Sequence, residues 1–133
     1  MIRQEARRYI RGLNKLEEFY DIEDFDLHDG EIDEFSYNAK TGLTMLIWHQ
    51  CTYIRMRFWG NMTIKMEDSE FPSGYVSPNS TISDFDVSID STSTWPIHAW
   101  FNLIGIRVNA EYMEIVNVYS DPKYENGENK KKK

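Results

Sequence analysis

The chain predicts an α+β fold, an N-terminal amphipathic helix packed on a bent, mainly antiparallel sheet of about six strands. Three observations predict it. Residues 2–20 carry apolar side chains at helical spacing. After Phe35 the pattern changes to an alternation of period two. All but one of the strand connections are short enough for antiparallel pairing. With 133 residues, 41% of them hydrophobic and 14% aromatic, the chain can fill one core. Residues 1–120 are assigned to a single domain. Residues 121–133, "DPKYENGENKKKK", are assigned to a disordered Lys-rich tail.

In residues 2–20 the apolar set is Ile2, Ala6, Tyr9, Ile10, Leu13, Leu16 and Tyr20. Arg3, Arg7, Arg11 and Lys15 stand four apart on the polar face. Basic residues at the start and Glu17 and Glu18 at the end oppose the macrodipole, so packing must hold this helix. The basic stripe reads as a solvated face, or else as a site for an acidic partner. "GLTMLIWHQ" is apolar on both alternating sets, as in a central strand. In residues 53–67 the even positions Ile54, Met56, Phe58, Met62, Ile64 and Met66 are apolar without a break. A two-residue hairpin at Gly60-Asn61 would set Phe58 against Thr63 and Met56 against Lys65, which one buried face forbids. One long strand is therefore expected, with Gly60 marking a bend or a close backbone approach. Residues 68–81 are rich in Pro, Ser and Gly and read as a loop. "SDFDVSID" points Phe85, Val87 and Ile89 inward and Asp84, Asp86 and Asp90 outward, as an edge strand guarded by charge. After a loop at 91–96, residues 97–106 and 111–120 read as two strands joined at residues 107–110.

The formal charge of −7 is unevenly spread. Residues 121–133 hold five lysines against three acids, which leaves residues 1–120 at −9. An acidic body argues against nucleic-acid binding, which needs Lys and Arg to neutralise phosphates. It suits a protein that meets a basic partner. A single cysteine, Cys51, allows no internal disulfide. The opening "MIRQEARRYIRG" has no apolar run of a secretory signal, and no segment reaches the ~18–20 apolar residues of a membrane helix. The expected compartment is the cytoplasm, with no membrane contact.

The densest chemistry lies in "DIEDFDLHDGEIDEF", and residues 17–34 contain ten acids and no Lys or Arg. An EF-hand loop with Gly30 at its sixth position would put Phe25, Leu27 and Ser36 where oxygen ligands belong, and it is rejected. A zinc site would need His28, His49 and His98 to meet, and their spacing does not call for it. Cys51 near His49 is a poor nucleophile–base pair, and no nucleophile elbow or phosphate loop is present. No catalytic residue, metal or cofactor is therefore expected. The acids Asp24, Asp26, Asp29, Glu31, Asp33 and Glu34, with His28 among them, are the candidate partner-binding residues. Trp48, Trp59, Trp95 and Trp100 read as core and rim, or else as the lining of a ligand pocket shared with Met.

"LHDGEI", Leu27–Ile32, leads into a strand and is followed by "LTMLI" and "IRMRFWGNMTIKM". This resembles a loose group of small bacterial proteins that share a Leu/Phe-His-Asp-small-x-Ile segment and an "xLxFxGV"-like strand. Some of that group are classed as immunity proteins of polymorphic toxin systems. Phe58, Gly60 and Met62 fall near the group's Phe, Gly and Val, with Met for Val and with Trp59 and Asn61 interposed. The resemblance spans about residues 25–66 and implies no catalytic residues. It implies a protein-binding, antitoxin-like role, and the acidic charge of residues 1–120 makes the expected partner basic. The alternatives are a ligand-binding β-domain and, less favoured, a metal-dependent hydrolase.

Overall fold

The computed structural model describes residues 1–66 and 80–124. The loop expected at 68–81 and the tail expected at 121–133 fall largely outside them. Among the described residues, eight strands form one sheet. They are β1 (Ile10–Arg11), β2 (Gly30–Asn38), β3 (Gly42–His49), β4 (Thr52–Met66), β5 (Ser80–Ile82), β6 (Phe85–Ile89), β7 (Ile97–Phe101) and β8 (Ile106–Ser120). Their order is β5-β2-β3-β4-β8-β7-β6. Neighbours on this path are antiparallel, and only β1 departs, pairing parallel with β8. β5 and β6 stand at opposite ends of the order, yet only two residues separate them in sequence. One stretch of chain thus carries both ends of the sheet and nearly closes it into a barrel.

The expected N-terminal helix is corrected. The segment divides into a 3₁₀ turn at Gln4–Tyr9, strand β1 and a five-residue helix, α1 (Leu13–Glu17). Gly12 explains the division. Its φ is +74°, a left-handed conformation that ends regular helix, and a Cβ there would overlap the carbonyl oxygen of Ile115. The chain passes so close to β8 that β1 hydrogen-bonds to it instead of continuing the helix. The helical spacing was real at the level of burial, since Ile2, Ala6, Ile10 and Leu16 all enter the core.

The expected long strand is found. β4 runs unbroken, with Ile54, Met56 and Phe58 fully buried and Met62, Ile64 and Met66 packed against the core. Its pairing with β8 shifts between Trp59 and Met62. Gly60 sits there at φ +86°, and a Cβ would stand 2.6 Å from Glu111 Oε1. The backbone N–H of Asn61 donates to that same oxygen at 2.9 Å, which fixes the bulge.

The final hairpin differs from expectation. Its turn lies at residues 102–105 rather than 107–110, and β8 is one strand of 15 residues. The cause is register. Ile106, Val108 and Ala110 are buried on even positions, then Met113 and Ile115 on odd ones. β8 changes parity because it lies opposite the Gly60 bulge, and a second irregularity near Val116 restores it. A strict alternation rule therefore cuts this strand in two.

Among the described residues no helix is long and apolar enough to cross a membrane.

Candidate functional site

The seven candidate residues divide between two places. Asp24 ends a 3₁₀ turn at Ile22–Asp24 and is exposed. Asp26 Oδ1 accepts the backbone N–H of His28 at 3.0 Å, an Asx-type turn. His28 is exposed, with Nδ1 2.7 Å from the Ser83 carbonyl oxygen and Nε2 3.6 Å from Asp29 Oδ2. The Ser83 carbonyl and the Asp29 charge raise its pKa. Leu27 (φ 59°) and Asp29 (φ 66°) flank it in left-handed conformations that non-glycine residues adopt rarely. The turn is closed by Gly30 N–H donating to the Leu27 carbonyl at 2.8 Å, and Asp29 N–H donates to Ile82 on β5 at 2.9 Å. "LHDG" thus shapes the entry into β2 and ties it to the strand that closes the sheet.

Beneath this turn lies His49, 5% exposed, its Nδ1 3.0 Å from the Tyr20 hydroxyl. Burial lowers the His49 pKa, partly offset by the His28 backbone and the charges of Asp26 and Asp29. Burial also pushes Tyr20 up to about 12. His98 sits elsewhere, on β7 opposite Ser88 and Asn109. Among the described residues, no three His, Cys, Asp or Glu side chains gather where they could hold a metal ion.

Glu31, Asp33 and Glu34 belong to β2 and lead to a different surface. Ile32 pairs with Ile47 and Phe35 with Met45, both facing the core, while Glu31 pairs with Trp48 and Glu34 with Leu46 on the outer face. The register shift between Ile32 and Glu34 gives β2 one extra residue, Asp33. That bulge sets two carboxylates side by side on the outer face.

Across the sheet they meet an aromatic floor. Tyr53 of β4 pairs with Trp48 of β3 on one side and with Tyr119 of β8 on the other. The rings of Tyr53 and Tyr119 lie 5.4 Å apart, 30° from parallel. Leu46 completes the floor. The far wall is the chain after β8, where a 3₁₀ turn at Pro122–Tyr124 folds back. There Asp121, 3% exposed, accepts the Trp48 indole N–H at 2.8 Å and the Lys123 backbone N–H at 3.0 Å. Its own N–H donates to the Cys51 carbonyl at 2.9 Å, which holds this segment on the β3–β4 turn.

Asp33 and Glu34 of β2, the tyrosine pair, Leu46 and residues 121–123 line an open groove of about 600 Å³. Three carboxylates, Asp33, Glu34 and Asp121, stand around it against one ammonium, Lys123. Burial, then the charges of Asp33 and Asp121, push Tyr53 up to about 12, so it stays a protonated phenol. Glu34 also meets Arg55 at 3.3 Å on the exposed rim. Of the seven candidates, Asp33 and Glu34 line the groove, and Asp24, Asp26, His28, Asp29 and Glu31 do not.

Sequence reading missed Tyr53, Tyr119 and Asp121, which come from distant parts of the chain. The one available signal is Asp121 just after a strand ending in "VYS", a position that composition places in the tail. The groove is also not the Trp/Met-lined pocket of the alternative ligand-binding reading. Met45, Met56 and Met113 are fully buried in the core, and all four tryptophans are half-buried.

Comparison of the chain with protein families, with curated proteins and with solved structures returned no match.

Proposed function

We propose that this chain is a non-enzymatic binding protein whose outer sheet face holds a basic protein partner. The observation that carries this reading is the groove itself, with three carboxylates standing around an aromatic floor. Carboxylates on the rim steer a cationic partner and set its orientation. Tyrosine contributes contact area at low entropic cost, which is why it recurs at binding surfaces. The resemblance of residues 25–66 to a group of small bacterial proteins, some of them classed as toxin-immunity proteins, supports the more specific form, an antitoxin-like role in which the partner is a toxin. The body's charge supports a basic partner over a nucleic acid.

A charge-matched comparison tests the reading. Protamine is the basic probe, titrated calorimetrically at low salt. One variant carries Glu31→Gln, Asp33→Asn and Glu34→Gln, and the other Asp24→Asn, Asp26→Asn and Asp29→Asn. Both lose the same formal charge. The β2 variant is expected to lose about tenfold or more in affinity, since close charge pairs at interfaces couple by ~1.5 kcal/mol and upward. The loop variant is expected to change about threefold or less. Equal losses would remove the groove from the reading, and no binding by the unaltered chain would remove the basic partner.

A further inference from the structure

Resting on the reading of a basic partner, we infer that the groove receives an arginine side chain of that partner. Its guanidinium stacks on the Tyr53–Tyr119 pair, with its N–H groups turned to Asp33 and Glu34. The two phenol rings lie 5.4 Å apart and 30° from parallel, so they pack against each other as an offset stack that a flat cation can extend. A guanidinium is planar, weakly hydrated and carries a fork of donors that matches a carboxylate edge. An ammonium is a compact, strongly hydrated point charge that uses neither the ring area nor the fork. Asp33 and Glu34 both line the groove at the β2 bulge, Asp33 with no Lys or Arg partner among the described residues and Glu34 held by Arg55 at the exposed rim.

The chain's own arginines show the same preference. Arg57 lies 4.3 Å over the Trp59 ring and Arg107 4.7 Å over Trp100, with Arg11 5.4 Å over Trp59 from the other segment. Each of these outward aromatic rings is capped from within the chain. Among the described residues, no Lys or Arg lies over Tyr53 or Tyr119, and none pairs with Asp33. Asp33 thus stands beside an aromatic pair over which no cation of the described residues lies, while Arg55 holds Glu34 at the rim and Lys123 lines the far wall. A nucleic acid is disfavoured there because Asp33, Glu34 and Asp121 would repel its phosphates.

Two acetylated, amidated peptides test this, identical in length and spacing and differing only in four arginines against four lysines. Calorimetry at low salt is expected to show the arginine peptide binding about three- to tenfold more tightly, the range of a cation–π contact that is partly desolvated. Tyr119→Leu keeps an apolar floor and is expected to erase that preference while leaving residual binding. Asp33→Asn, nearly isosteric, is expected to weaken both peptides, and thermal melts verify that each variant is folded. Equal affinities, or a preference that survives both Tyr119→Leu and Tyr53→Leu, would overturn the inference and leave the basic partner standing. Failure of both peptides and of protamine to bind would overturn the two together.

Discussion

His49 is the residue at which acid acts on this fold. It is buried and its pKa is lowered first by that burial. The unfolded chain therefore takes up the proton more readily than the folded one. The contribution is fully present above the ordinary value of 6.5 and is lost as pH falls through it toward the lowered folded value. His28 has the opposite sign. The Ser83 carbonyl and Asp29 raise its pKa, so its support is present below 6.5 and fades as pH rises through the raised value. Urea midpoints at pH 7.5 and pH 5 should show His49→Gln flattening the acid-side loss and His28→Gln steepening it. A His49→Gln profile parallel to the unaltered one would refute the assignment. Neither role was legible from residue type. The sequence shows three histidines with no sign that two lie on opposite sides of one turn. That follows from Tyr20 reaching His49 and from Ser83 reaching His28, contacts 29 and 55 residues apart.

Among the elements, turns and bulges decide what the strands alone do not. β4 was readable because its even parity survives the Gly60 bulge. β8 was not, since its parity changes twice against the same partner strand. The N-terminal segment was half readable, because its spacing gave the buried residues but not the backbone that presents them. Replacing Gly12 with alanine should therefore be costly, as φ is +74° and a Cβ would overlap the Ile115 carbonyl. A loss of about 2–4 kcal/mol is expected in chemical unfolding, with β1 the first strand to lose amide protection. A loss below ~0.5 kcal/mol would mean that the close crossing of β8 is not rigid. The β3–β4 turn invites the opposite change. Gln50 (φ 50°) and Cys51 (φ 64°) both take the left-handed conformation of a type I′ hairpin, which Asn-Gly prefers. Gln50→Asn with Cys51→Gly should stabilise by about 1 kcal/mol, read as a higher urea midpoint. The Cys51 carbonyl that anchors Asp121 is a backbone group and is retained.

For the whole molecule, near-closure of the sheet separates inside from outside, and function is assigned to the outside. Core residues such as Phe58, Phe85 and Phe101 are fully buried, and truncating Phe58 to alanine should cost about 3–5 kcal/mol in unfolding experiments. The acidic run was visible in the sequence as one patch. The fold divides it, because the turn at "LHDG" leaves Asp26, His28 and Asp29 beside β5 while the β2 bulge lifts Asp33 and Glu34 onto the outer face. The groove could not be read in one dimension. Its floor needs Tyr53 and Tyr119 in register across β4 and β8, and its wall needs Asp121 bonded to Trp48, 73 residues away. Binding there should weaken steeply with added salt, since exposed charges are screened beyond ~10 Å at 0.1 M.

The most direct measurement is an amide and tyrosine-ring NMR map of the isotopically labelled protein with an unlabelled arginine-rich peptide at low salt. Perturbations are expected to concentrate at Asp33, Glu34, Tyr53, Tyr119 and Asp121. Shifts centred on residues 24–29, or spread evenly over the acidic surface, would contradict it.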